Sequence, residues 1–208
     1  LLTLFAQTPE DGQYAVTFTT QNGESDTVVL LFSANIRSMY LVSEDPVNEG
    51  RSWLEDCDDH SRSTSGSVAL LRADGSVVYD GTMTNLRGRG NSTWTATDPD
   101  GNGDDKRPYQ ITLKHKTDLL DTGDENEANK RWELLADYFD PTLLHNRISN
   151  DLALELGQTE TAHTQPVDLY YDGEYRGTYL LAEKVEVGTG RVETTDYVQT
   201  DDYREYDY

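Results

Sequence analysis

Arg87-Gly88-Arg89-Gly90-Asn91-Ser92-Thr93 is the densest chemical signal in the chain. Two glycines two residues apart let backbone amides approach an anion, and guanidinium groups beside them neutralise phosphate charge. The string lacks the third glycine of a dinucleotide fingerprint and the Gly-Lys-Ser/Thr of a P-loop. On its residues alone it also reads as a tight turn whose arginines pair with nearby carboxylates. Asn91-Ser92-Thr93 fits an N-glycosylation sequon as well.

A second signal lies a few residues on. The first six residues of Asp98-Pro99-Asp100-Gly101-Asn102-Gly103-Asp104-Asp105 match the opening of an EF-hand-type loop. Asp98, Asp100, Asn102 and Asp104 would offer oxygens to a hard cation, and the glycine at the sixth position lets the loop wrap. Tyr109 stands where the bidentate glutamate belongs, so bound calcium and a solvated acidic loop both remain open. Lys106, Arg107, Lys114, Lys116 and the pair Glu183-Lys184 fall on strand-like text. A phosphoryl-transfer site needs a strand lysine and a glutamate to orient it, yet each residue alone is also an ordinary solvated one. His60, His115, His145 and His163 are scattered without metal-ligand spacing, which argues against zinc. No G-x-S-x-G elbow occurs, and no carboxylate pair stands out for glycosidase chemistry. Cys57 is alone, so no internal disulfide forms, and Asp56, Asp58 and Asp59 disfavour its thiolate.

The elements that must carry these groups are mostly strands. Residues 13–20 and 27–32 flank Asn22-Gly23 as a hairpin, and 36–42 read as a third strand. Residues 43–66 form a long acidic, serine-rich loop with Trp53 and Leu54 as its large apolar pair. Residues 67–72 and 76–81 make the clearest hairpin, 108–114 a strand, and 131–136 either strand or helix. Residues 166–171 and 174–182 pair across Asp172-Gly173. One principal helix starts at Asp140 as N-cap with Pro141 in its first turn. Leu143, Leu144, Ile148, Leu152 and Leu156 form its apolar stripe, and Gly157 ends it.

Composition bounds the partners. The 208 residues hold 17 Lys plus Arg against 39 Asp plus Glu, a formal charge of −22. Such a field repels phosphate backbones and anionic lipid surfaces, so nucleic acid and membrane partners are not expected. Mean hydropathy is −0.73, and no apolar run is long enough for a membrane span. Asp outnumbers Glu 24 to 15 while Lys is scarce, which suits a saline or extracellular setting.

Four strings together resemble the CotH family of spore-coat-type, atypical protein-kinase-like domains. They are LRGRGNSTW, KRPYQITLKHKTDLL, KRWELLADYFDPTLLHNRISNDLALELG and PVDLYYDGEYRGTYLLAEKVEVGTGRV, in order from Leu86 to Val192. The resemblance implies ATP and magnesium binding and transfer of phosphate to Ser or Thr of secreted or coat proteins. It implies nucleotide-binding roles for Arg87, Gly88, Arg89, Gly90, Asn91 and Ser92 as the phosphate-facing loop. Lys106 and Arg107 match the family's Lys-Lys before Pro-Tyr. Asn146 and Arg147 match its Arg-Asn-Lys with His145 in place of the arginine, and Glu183 matches its Glu-Lys. Thr95–Asp105 is an insertion, and nothing after Glu193 matches the family's catalytic Asn/Asp and Trp-Asp stretches.

The expectation is therefore an α+β domain, mostly antiparallel sheet with one principal helix, like the nucleotide-facing half of an atypical kinase-like fold. It divides into a β-rich part at 1–85, a CotH-like core at 86–192 and a polar Asp/Tyr-rich tail at 193–208 that reads as a chain cut short. The functional expectation is an extracellular or cell-surface kinase-like domain, incomplete here, acting on or assembling with a secreted or surface protein. Its rival is a non-catalytic, calcium-stabilised structural or adhesive module.

Overall fold

A computed structural model describes residues 12–32, 36–95, 106–124, 127–188 and 191–192. Strands β1 (Gly12–Thr19) and β2 (Ser25–Phe32) pair antiparallel as a two-stranded sheet of their own, turning through Gly23 at φ +87°. The other seven strands close into a barrel in the order β3-β4-β5-β6-β7-β9-β8. These are β3 (Arg37–Ser43), β4 (Ser63–Leu71), β5 (Val77–Gly88), β6 (Tyr109–Thr117), β7 (Asn129–Leu135), β8 (Thr164–Tyr171) and β9 (Glu174–Glu183). Among the described residues three short helices decorate it: α1 (Arg51–Glu55), α2 (Ser92–Thr95) and α3 (His145–Glu155).

This corrects the expected α+β, kinase-like layout with one principal helix. The hairpins legible in the text pair as expected, but β3 and β8 also meet in parallel, Arg37 opposite Val167 and Leu41 opposite Tyr171. That one parallel contact abolishes both sheet edges and lets the sheet enclose its own core, so no helical layer is needed to cover it. Alternate residues point inward as the strand period requires. Met39, Leu41, Val68, Leu70, Met83, Leu86, Ile111, Trp132, Leu134, Val167, Leu169 and Leu181 are buried together. Of residues 131–136, all but the last resolve as strand, because Trp132 and Leu134 fill the barrel opposite Ile111 and Tyr109.

The helix also differs from expectation. α3 starts at His145, five residues after Asp140, and none of its residues is buried. Asp140 still caps it, from a distance. Its carboxylate accepts hydrogen bonds from the backbone N–H of Leu144 (3.0 Å) and His145 (2.8 Å) and from the Thr142 hydroxyl (2.6 Å). Leu143 turns through φ +57°, which lets the chain enter the helix after this cap. At the other end Gly157, at φ +81°, completes a Schellman motif, with Gln158 N–H bonded to Ala153 O and Gly157 N–H to Leu154 O. The periodic Leu144, Ile148, Leu152 and Leu156 stay exposed, so helical spacing marked a stripe but not a core.

The long loop at 43–66 contains α1 and is tied down by a remote turn. Asp172-Gly173 forms the two-residue hairpin turn with both residues at positive φ, as a type I′ turn demands. The Asp172 carboxylate accepts from Ser43 N (2.7 Å), Ser43 Oγ (3.0 Å) and Arg51 N (2.9 Å), so it caps α1 from the end of the neighbouring strand β8. α1 in turn presents Glu55 to the buried Tyr109 hydroxyl. No helix among the described residues is long and apolar enough to cross a membrane.

Candidate functional site

The glycine-bearing stretch runs off the end of β5. Gly88 is fixed by packing: a Cβ there would collide with the Trp94 ring. Gly90 is fixed by conformation, with φ +77° and a Cβ position that would collide with Thr93 Oγ1. Together they fold α2 back so that Trp94 is fully buried, its Nε1 donating to Cys57 O at 2.6 Å. Arg107 lies over the same ring, 4.9 Å from its centroid, and donates to Glu55 O at 2.9 Å. Gly88, Gly90 and Arg107 therefore shape the loop around Trp94. Asn91 and Ser92 are exposed at its tip.

Arg87 and Arg89 behave differently. Arg87 points outward and makes one long contact, 3.5 Å, to Gln110 Oε1. Arg89 pairs with Glu133 of β7 at 3.0 Å. It also lines a cleft of about 250 Å³ together with Thr93, Pro108, Asp137, His145 and Asn146. Asn146 Nδ2 donates to Asp137 Oδ1 at 2.5 Å, and His145 Nδ1 lies 3.3 Å from Asp140 Oδ1. Burial pushes the Asp137 carboxyl up, opposed by the Asn146 hydrogen bond and the attraction of Lys106. Hydrogen bonds from Thr142 and from the His145 backbone pull Asp140 down to about 2.

Lys106 is half-buried. It donates to Thr178 O and rests over the Tyr179 ring at 4.8 Å. Burial lowers its pKa, against the pull of Asp137 and Asp168. The cleft thus gathers one guanidinium, one imidazole and one carboxamide beside two carboxylates, Asp137 and Asp140. That donor set suits a phosphate whose charge is shared with a metal cation.

Glu183 is elsewhere. Its register places it opposite Trp132, and it lines a second cavity of about 380 Å³ with Glu127, His163 and Arg191, sharing no residue with the cleft. Arg191 donates to Glu183 Oε1 and covers the Trp132 ring at 5.1 Å. His163 N–H donates to Glu183 Oε2 at 2.8 Å, and His163 Nδ1 lies 3.2 Å from that oxygen and 3.6 Å from Glu127 Oε2. Burial, then the neighbouring Glu183, holds the Glu127 carboxyl up at about 7.

The loop residue Arg89 thus meets Asn146 and His145 on one cleft, Lys106 is electrostatically linked to it through Asp137, and Glu183 is apart. Asp98, Asp100, Asn102 and Asp104 lie outside the described residues. Sequence reasoning missed Asp137, Glu127 and Arg191. Asp137 lies two residues past the end of β7, Glu127 is brought to Glu183 by the pairing of β7 with β9, and Arg191 by the chain folding back after β9 through the Val187–Val192 bridge.

In architecture this is a small β-barrel domain with an external, arginine-bearing cleft beside its three-turn helix. The family model described as CotH kinase protein matches residues 86–203, more than half of the chain, and the chain belongs to the CotH family. The match covers both cavities and strands β6 to β9. Comparison with curated proteins returns no significant match.

Proposed function

We propose that this CotH-family domain binds a nucleoside triphosphate with magnesium, its phosphates against the Arg89 cleft, and serves phosphoryl transfer to protein hydroxyls at the cell surface or outside the cell. The observation that carries the reading is the convergence of Arg89, His145 and Asn146, from two separate family-matched strings, on one cleft. Arg89 and Arg87 would face phosphate, with Asn146 beside them. Asp137 would hold the magnesium, whose charge offsets the burial cost of that carboxylate. In the transfer, a Ser or Thr hydroxyl oxygen bonds to the γ-phosphorus, the bond to the departing nucleoside diphosphate breaks, and the hydroxyl proton passes to a base. Positioning and charge neutralisation are what the cleft residues supply.

Thermal unfolding with and without Mg-ATP tests this. Binding at about 100 times Kd adds about 2.7 kcal/mol of stability, which moves the melting temperature by several degrees. The shift should vanish when Arg87 and Arg89 are both replaced by Ala. A shift that survives the double variant removes the assignment. The rival reading, a non-catalytic surface module stabilised by calcium, is favoured by the ion pair Arg89 already makes with Glu133. It expects no response to Mg-ATP and a lower melting temperature in a calcium chelator, lost in Asp98→Ala with Asp100→Ala.

A further inference from the structure

We propose that Glu127, His163 and Glu183 form a three-ligand site for a divalent transition-metal cation of the zinc or manganese kind, with its open coordination positions facing the adjoining cavity. One donor atom from each residue lies within 4.8 Å of the others. The closer spacings are more telling. A tetrahedral cation with ligand bonds of about 2.0–2.1 Å holds neighbouring donors roughly 3.3–3.4 Å apart. His163 Nδ1 stands 3.2 Å from Glu183 Oε2 and 3.6 Å from Glu127 Oε2, on either side of that edge length.

Two further observations point to a missing cation. Glu127 Oε2 is shielded from solvent and accepts no hydrogen bond, and its nearest cationic groups, His163 Nδ1 at 3.6 Å and an Arg191 guanidinium nitrogen at 3.8 Å, both stand beyond hydrogen-bonding reach, which leaves the oxygen open to a closer positive partner. The Glu183 carboxylate is already oriented by its neighbours: Arg191 holds Oε1, and the His163 backbone N–H holds Oε2 from one side. Such outer partners fix a ligand's direction while leaving a lone pair free.

The donor set selects the metal. Calcium takes six to eight oxygens, and three donors including an imidazole nitrogen do not provide them. Mixed nitrogen and carboxylate donors suit zinc, manganese and their neighbours, and three protein ligands with an open position is the arrangement of reactive rather than closed sites. The cavity of about 380 Å³ beside the cluster leaves room for water or a small anion to complete the shell. The ligands come from the turn before β7, the residue just before β8 and the end of β9, so a bound metal would pin three separate segments together.

The test is calorimetric titration of the chelator-stripped protein with zinc and with manganese, alongside thermal unfolding. One saturable site and a raised melting temperature are expected. His163→Ala and Glu127→Gln should each weaken binding by roughly 10–100-fold or more, since loss of even an outer partner costs that much. His163 is partly exposed, so its variant should fold, and an unchanged melting temperature in chelator confirms that. No saturable binding overturns the proposal. So does binding that persists in both variants, which would place the metal on the acidic surface, and so does calcium displacing zinc at equal concentration. Arg87 and Arg89 take no part, so this outcome is independent of the Mg-ATP result.

Discussion

The two cavities are made in opposite ways. The Arg89 cleft sits on the outside of the barrel, and its residues come from runs of sequence that are contiguous and conspicuous. The Glu183 cavity sits over Trp132 at the inner face, and its residues are single letters from 127, 163, 183 and 191. One is a surface feature held by local packing of glycine against Trp94. The other is a product of β7, β9 and β8 lying side by side, and its Arg191–Glu183 pair is buried. The lesson is that position relative to the core, more than residue type, decides what each ion pair is worth.

The largest test of that contrast is Arg191→Ala against Arg89→Ala. Both side chains of the Arg191–Glu183 pair are almost wholly buried, at 2% and 4% exposure. Removing Arg191 strands a buried carboxylate, and denaturant unfolding should show a loss of about 3–5 kcal/mol. Arg89 is 31% exposed, and its loss should cost under about 1 kcal/mol. Equal costs would break the comparison.

Next comes Gly88→Ala. Its Cβ would collide with the Trp94 ring, so the cleft wall must shift, at about 1–3 kcal/mol by the same unfolding measurement. If zinc affinity at the Glu183 cavity stays unchanged in that variant while the Mg-ATP response is lost, the two cavities are energetically separate.

The smallest effect sharpens the cleft side. Asp140 is held at about 2 against an ordinary value near ~3.9. A depressed carboxyl favours the folded state above its ordinary value and loses that contribution as pH falls through about 2. The melting temperature of Asp140→Asn should therefore trail the parent protein at pH 5 and above, and the gap should close between pH 4 and 2. A gap independent of pH would mean that the cap of α3 owes nothing to charge.

The same division explains what was legible. Hairpins announce themselves through local letters, so Asn22-Gly23, Ala73-Asp74-Gly75 and Asp172-Gly173 all turn where expected. The Arg-Gly string was visible for the same reason, and so was the glycine that ends α3. Closure was not legible, because the parallel pairing of β3 with β8 joins residues some 130 positions apart and leaves no local mark. The stripe Leu144, Ile148, Leu152 and Leu156 misled in the other direction. Periodicity says that a helix has an apolar face, not that something covers it. Scattered histidines looked chemically idle in the text, yet His163 lands between two glutamates once β8 and β9 are side by side.

The seam between β3 and β8 also governs how the molecule can form. Leu41 finds its partner Tyr171 only after the intervening chain exists, so at about 5–20 residues per second a ribosome needs on the order of ten seconds to deliver it. Until then β3 presents an open backbone edge, flanked on one side by the nascent β4 hairpin and on the other by nothing. Contacts of such long sequence separation place the domain among slow-folding topologies, in the millisecond-to-second range once synthesis ends. Refolding from denaturant should accordingly lag far behind the collapse of its hairpins, and the waiting edge of β3 is where a second nascent chain would dock first.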